Sequence, residues 1–217
     1  MSTSQDQSAQ AHWQAVYQRK PADSVSWYRP HLDTSLMLLR RAGLSSDSRV
    51  IDVGAGASTL VDDLLALGVA HVTVLDLSAQ ALALARARVG DRGDQVAWLP
   101  GDLLTTPLSL AGYDLWHDRA VLHFLTDAGD ALRYAQQAAR ALRPGGHAVI
   151  GGFAPDGPER CSGLTVARRS PEEVAALLGP EFRLIDQFRE RHVTPGGAEQ
   201  AFVWSVLRRE AGQGPSP

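Results

Sequence analysis

Val50 to Thr59 reads Val-Ile-Asp-Val-Gly-Ala-Gly-Ala-Ser-Thr, and little else in the chain limits its folding so tightly. Apolar β-formers surround one acid and run into two glycines two positions apart. Small residues follow, and an apolar-periodic segment opens at Leu60. This order predicts a strand, a tight turn and a helix start. Gly54 and Gly56 have no side chain to block a ligand lying against the backbone. Ser58 is placed to cap the helix, whose first amides face the same space. The turn reads as a cofactor seat, although a bare strand-to-helix turn also uses glycine for sterics alone. The next strand, His71 to Leu75, ends at Asp76. In a doubly wound sheet an acid at that tip lies beside a cofactor ribose and accepts from its hydroxyls.

A dinucleotide fingerprint would place its third glycine at position 59, where Thr59 stands. Asp52, just ahead of the turn, would repel a pyrophosphate and attract a cationic amine. The pattern Asp52-Val-Gly54-Ala-Gly56-Ala-Ser58, with Asp76 on the next strand and Gly101-Asp102 on the one after, resembles the class I S-adenosylmethionine-dependent methyltransferases. The resemblance runs from about residue 45 to 209. It implies S-adenosyl-L-methionine as cofactor, an apolar adenine neighbour at Leu77, and an N-terminal helical segment over the cofactor. Asp102 is able to accept from an adenine amino group and Leu103 to pack on the ring; the alternative for Asp102 is a turn acid.

The length of 217 residues fits one domain around a single core. We expect tails at 1–11 and 210–217, a helical lid over 12–44 and a Rossmann-like core over 45–209. Strands at 49–53, 71–76, 95–99, 113–116 and 147–153 alternate with helices at 59–67, 79–89 and 128–142. Arg143-Pro144-Gly145-Gly146 breaks the last of these helices, a habitual feature of the resembled family. Ser170-Pro171-Glu172-Glu173 is a capping box that opens a helix ending at Gly179. Strands at 182–192 and 199–208 close the chain as a hairpin. The fold expected is α/β: a doubly wound, mostly parallel seven-stranded sheet with helices on both faces and a C-terminal antiparallel hairpin.

A net charge of −3 offers no broad basic field, so nucleic acid is not an expected partner. The single cysteine, Cys161, excludes an internal disulfide framework and a cysteine-cluster metal site. No apolar run approaches the ~18 residues of a membrane span, and no signal pattern opens the chain. A cytoplasmic protein without a membrane partner is the expectation.

Trp13, Tyr17, Trp27 and Tyr28 fall between His12 and Pro30 in a chain that is only 6% aromatic. Trp13 and Tyr17 share a helix face. They are either packing over the sheet edge or a lid that keeps water from the reacting groups, and both can hold. The strand ending at Trp116 delivers His117-Asp118-Arg119, with His123 a turn further on, beside the switch point between the first and fourth strands. His117 is the candidate proton acceptor or acceptor-orienting group, Asp118 and His123 are weaker candidates, and Arg119 and Arg29 are anchors for an acidic acceptor. The Asn/Asp-Pro-Pro-Tyr form used by the family's amino-group and nucleic-acid methylases is absent here. The loop Ala154 to Ala167 brings Arg160 and Cys161 to the same side; Cys161 is a small buried hydrophobe or a soft contact to a thiol or metalloid acceptor.

The resemblance implies methyl transfer to a nucleophile without any metal, which requires in-line positioning, exclusion of water and, for some acceptors, removal of a proton. A small-molecule acceptor is expected. A protein-lysine methyltransferase of the same fold and a non-catalytic nucleotide-binding or NAD(P)-binding Rossmann protein are the alternatives, the latter disfavoured by Thr59 and Asp52.

Overall fold

The structure, a computed structural model, describes residues 4–19 and 21–211. Apolar runs of five or six residues form β1 (Arg49–Val53), β2 (His71–Asp76) and β3 (Val96–Pro100), followed by β4 (Tyr113–Arg119) and β5 (Leu142–Phe153). Two short strands, β6 (Arg160–Cys161) and β7 (Leu164–Thr165), precede β8 (Phe182–Val193) and β9 (Glu199–Arg209). The helices are α1 (Ser4–Arg19), α2 (Asp33–Arg41), α3 (Leu60–Ala66), α4 (Ala79–Val89), α5 (Ala128–Ala141) and α6 (Pro171–Leu178).

The main sheet has seven strands in the order β3-β2-β1-β4-β5-β9-β8. β1 to β5 run parallel and β9 is antiparallel to both its neighbours. Strands buried on both faces read as continuous apolar stretches, and each face has its own core. Val50, Val72, Val74, Leu115 and Val149 pack against α2 and α3 on one side. Ile51, Val53, Leu75, Trp116 and Ile150 pack against α5 and α6 on the other. Helix ends follow local chemistry: Ser78 accepts from the Ala81 amide at 3.2 Å, Asp127 from Asp130 at 3.0 Å, and Ser170 and Glu173 close their reciprocal box ahead of Gly179.

Three boundaries differ from the sequence reading. β4 continues three residues past Trp116, so the polar triplet 117–119 belongs to the strand itself. β5 begins at Leu142 and takes in the Pro-Gly-Gly turn, with an irregular register between Tyr113 and Leu115. α1 reaches back to Ser4, into the stretch 1–11 that reads as a tail, because nothing between Ser4 and Arg19 is a glycine or a proline. Glu210, expected to open the C-terminal tail, is held by Arg183 at 2.7 Å and by the Glu181 carbonyl at 2.8 Å. Residues 1–3 and 212–217 of the two expected tails lie outside the described residues. Among the described residues no helix is long and apolar enough to cross a membrane.

Candidate active site

A cavity of about 600 Å³ opens at the carboxyl ends of β1, β2 and β4, beside the switch point. Asp52, Gly54, Ser58, Asp76, Leu77, Asp102 and Leu103 all line it, so seven of the eight residues expected at the cofactor meet there. The eighth, Gly56, sits in the same turn. Gly54 and Gly56 adopt φ of +58° and +57°, the left-handed region that favours glycine. A Cβ on Gly54 would lie 2.0 Å from Val121 Cγ2, and one on Gly56 would lie 2.0 Å from the Tyr17 hydroxyl. The bare backbone is therefore needed first by two side chains of the protein. Ser58, expected to cap α3, does not: the N-cap position falls on Thr59 without a side-chain cap bond, and Ser58 Oγ instead accepts from the Leu60 amide two residues on, at 3.2 Å.

Asp76 accepts from the Gly56 and Ser78 amides, each at 2.7 Å. Burial pushes its carboxyl up to about 6 against the pull of these two bonds, and nearby Asp52 adds to the rise. Each carboxylate oxygen has a second lone pair, so both retain capacity for ligand hydroxyls. Asp102 spends one oxygen on the Leu104 amide at 2.9 Å.

Alternation along β4 divides the polar triplet. His117 and Arg119 project to one face and Asp118 to the other. His117 stands opposite Asp52 in the β1–β4 register, and its Nδ1 bonds Asp52 Oδ1 at 2.7 Å. Its Nε2 meets the Ser35 hydroxyl of α2 at 2.9 Å. All three residues are buried. With both ring nitrogens engaged, His117 presents neither to an acceptor, and the expected proton-acceptor role gives way to a positioning one: it holds Asp52. The second oxygen of Asp52 is buried and has no partner among the described residues.

Asp118 is a second correction. It accepts from the Val121 and Leu122 amides at 2.7 and 3.0 Å and from the Tyr134 hydroxyl at 2.7 Å. It thereby ties the turn after β4 to α5, away from the cavity, and burial pushes its carboxyl up to about 6. His123 is a third. Its ring is packed between Phe124 and Phe153 and borders a separate space of about 20 Å³. Burial, with Arg169 and Arg119 nearby, drives its pKa down to about 3. The period-two alternation that separates Asp118 from its neighbours would have been visible in sequence had β4 been extended past Trp116.

Arg119 lines the cavity. Its Nη1 donates to the Trp27 carbonyl at 2.9 Å, and its guanidinium lies 5.3 Å from the Phe202 ring centre. Burial lowers its pKa.

The aromatic segment roofs the site. Trp13 makes edge contacts with Trp27 at 5.8 Å and Phe124 at 5.0 Å between ring centres. Tyr17 reaches the Gly56 turn, where burial and Asp76 raise its pKa. The chain between α1 and α2 is pinned through its carbonyls: Ser26 by His192 at 2.7 Å, Trp27 by Arg119, and Arg29 by the Thr59 hydroxyl at 2.9 Å. Trp13, Tyr17, Trp27, Tyr28 and Cys161 all line the cavity. Burial pushes the Cys161 thiol up to about 11, which keeps it neutral.

Residues 50–146 match a family model described as a methyltransferase domain. The chain is 28% identical over 167 residues to the ubiquinone biosynthesis O-methyltransferase of Aromatoleum aromaticum, a match covering 75% of this chain and 64% of that protein. It resembles the solved structure of a protein described for converting a disulfide bond into a thioacetal group during echinomycin biosynthesis, with a TM-score of 0.75, 19% identity and 94% of each chain covered. It also resembles 1,6-didemethyltoxoflavin-N1-methyltransferase of Burkholderia thailandensis, solved with 1,6-didemethyltoxoflavin and S-adenosylhomocysteine. There the TM-score is 0.70 at 21% identity, over 97% of this chain and 92% of that one. Residues 50–146 carry a methyltransferase domain, and the chain has the fold of solved S-adenosylmethionine-dependent methyltransferases. It spans 64% and 54% of the length of the two ubiquinone biosynthesis O-methyltransferases it matches.

S-adenosyl-L-methionine fits the residues present. Asp52, whose second carboxyl oxygen is buried without a partner among the described residues, lines the cavity and suits a cationic amine. Asp76 has spare acceptor sites for ribose hydroxyls, and Leu77 and Leu103 give apolar walls near Asp102 for a purine. The sequence reading missed Ser35, which completes the His117 contacts, and the lining residues Phe153 and Phe202. Ser35 carries no motif. Phe202 was readable only as one position of the alternating strand β9.

Proposed function

We propose that this methyltransferase transfers the methyl group of S-adenosyl-L-methionine to a small organic acceptor. The observation that carries the acceptor class is the roof: Trp13, Tyr17 and Trp27 from the N-terminal segment and Cys161, Leu164 and Thr165 from the β6–β7 hairpin cover the cavity. A space of about 600 Å³ under such a cover suits a small molecule beside the cofactor, not a polypeptide laid in an open acidic groove. The matched ubiquinone biosynthesis O-methyltransferases support this reading.

When bound, S-adenosylmethionine supplies a methyl group already activated on a sulfonium. Asp52, held by His117, takes the amine; Asp76 takes the ribose hydroxyls; Leu77, Asp102 and Leu103 hold the adenine. The aromatic roof excludes water and the acceptor-side wall orients the nucleophile, contributions that together account for much of the rate in a positioning enzyme. The test is incubation of cell-extract metabolites and proteins, separately, with methyl-labelled S-adenosylmethionine. Label in small molecules is the expected result. Label in protein overturns the acceptor class, and failure of calorimetry to detect cofactor binding overturns the reading as a whole.

A further inference from the structure

The acceptor end of the cavity holds a buried cation with a donor to spare. Arg119 Nη2 is buried and has no hydrogen-bond partner among the described residues, whereas Nη1 of the same guanidinium is fixed on the Trp27 carbonyl at 2.9 Å. Among the described residues no carboxylate lies within ion-pair distance of Arg119. A buried guanidinium nitrogen without a partner is costly, so a ligand group that satisfies it is strongly favoured.

The surrounding groups narrow what that group is. Glu190 is occupied twice: its Oε2 accepts from Trp204 Nε1 at 2.8 Å, and its Oε1 lies 3.9 Å from Arg29. The open nitrogen of Arg119, beside a sister nitrogen already fixed, offers an anionic oxygen a charge-assisted bond. The walls around it are rings: Trp27, Phe153 and Phe202 line the same space, and Phe202 already stacks under the guanidinium. Rings of this kind suit a flat, apolar body.

We propose that the acceptor is an aromatic carboxylate whose anionic group is bound by Arg119 Nη2. This rests on the methyltransferase reading of the same cavity. Arg119 acts as the specificity-determining anchor, and its second nitrogen, held by the Trp27 carbonyl, keeps the lid segment in register with the bound acid.

The test uses the full chain saturated with S-adenosylhomocysteine, and matched probes: 3,4-dihydroxybenzoate and 4-hydroxybenzoate against their methyl esters. Binding is followed by quenching of tryptophan fluorescence and by calorimetry. A charge-assisted hydrogen bond to a buried guanidinium predicts that the acids bind about 10- to 100-fold more tightly than the esters. In Arg119→Gln that preference should collapse to within about threefold, with Arg119→Lys intermediate, because an ammonium keeps the charge but not the planar fork. Equal binding of acid and ester to the wild-type protein overturns the proposal, as does binding of neither, and so does a preference that survives in Arg119→Gln. The wild-type comparison stands even if the variants unfold. Calorimetry of S-adenosylhomocysteine alone separates this failure from failure of the methyltransferase reading, since a protein that binds the cofactor product but not the acids refutes only the anchor.

Discussion

Replacing His117 by leucine removes both of its polar contacts while keeping an apolar side chain of similar size. The bond to Asp52 joins two side chains that are 1% and 4% exposed, so solvent cannot substitute for the lost partner. Breaking a buried pair by deleting one member costs about 3 to 5 kcal/mol, and the orphaned Ser35 hydroxyl adds about 1. A domain of this kind is stable by about 5 to 15 kcal/mol, so His117→Leu removes a large share. At about 2 to 4 °C per kcal/mol the midpoint should fall by roughly 8 to 24 °C. Urea titration of ligand-free protein measures the loss, and a cycle with Asp52→Leu isolates the pair, for which the coupling should exceed about 1.5 kcal/mol. Calorimetry should show weaker cofactor binding as well, because Asp52 loses its orientation. Two results would refute the positioning role. One is a stability loss under about 1 kcal/mol with an additive cycle. The other is turnover lowered ~10²- to 10⁴-fold with cofactor affinity intact, the pattern of a general base. If His117→Leu does not fold, Ser35→Ala is the milder probe, expected to cost about 1 kcal/mol.

Asp76 makes the ligand-free protein pH-sensitive. Its carboxyl is raised to about 6 in the folded chain, so its favourable contribution is complete below the unfolded value near 4 and is lost as pH rises through 6. Asp118, also raised to about 6, adds a contribution of the same sign. Thermal midpoints taken between pH 4 and 7 should show that slope, and Asp76→Asn should flatten it; an unchanged slope in the variant refutes the assignment. Cofactor affinity should move the opposite way, weakening below pH 6 as Asp76 takes a proton. Gly56→Ala places a methyl 2.0 Å from the Tyr17 hydroxyl at a positive φ, so it should cost at least the ~1 to 2 kcal/mol of left-handed strain and displace α1; a variant with wild-type stability and cofactor affinity would show that the turn has room. Deleting residues 1–30 leaves Arg119 and His192 without the carbonyls they hold, and the shortened chain should lose cooperative unfolding or several kcal/mol. A wild-type midpoint in that chain would reduce the segment to a detachable cover.

The cofactor half of the site was legible because short-range rules write it. Gly54 and Gly56 answer a backbone need, Asp76 ends a clearly apolar strand, and Ser78 caps the helix behind it, each set by neighbours within a few residues. The strand order followed from the alternation of strands and helices and from the closing hairpin. The acceptor half depends on contacts distant in sequence. Ser35 meets His117 across 82 residues and His192 meets the Ser26 carbonyl across 166. No local pattern marks either pair. The roles of Asp118 and His123 were misjudged for a simpler reason: β4 was stopped at Trp116, since a polar run after an apolar one looks like a loop. Buried polar side chains that find partners are equally at home in a strand.

That extension of β4 changes what the triplet means. Asp118 fastens the turn after the strand to α5, while on the other face His117 orders Asp52 and Arg119 pins the lid by Trp27. The tip of β1, the turn after β4 and the segment between α1 and α2 are thus fastened by three consecutive residues with one shared register. A slip of one position in β4 would send Asp118 into the cavity and bury His117 and Arg119 against α5, reversing every role at once. The arrangement resists such a slip because each of the three is partnered by hydrogen bonds to a different part of the structure: β1 and α2, the turn and α5, and the lid. The distance between the Asp52 carboxylate and the Arg119 guanidinium is therefore fixed by the pitch of two paired strands and not by loops. That is the rigidity a transferase needs when its main task is to hold a methyl donor and its acceptor in line.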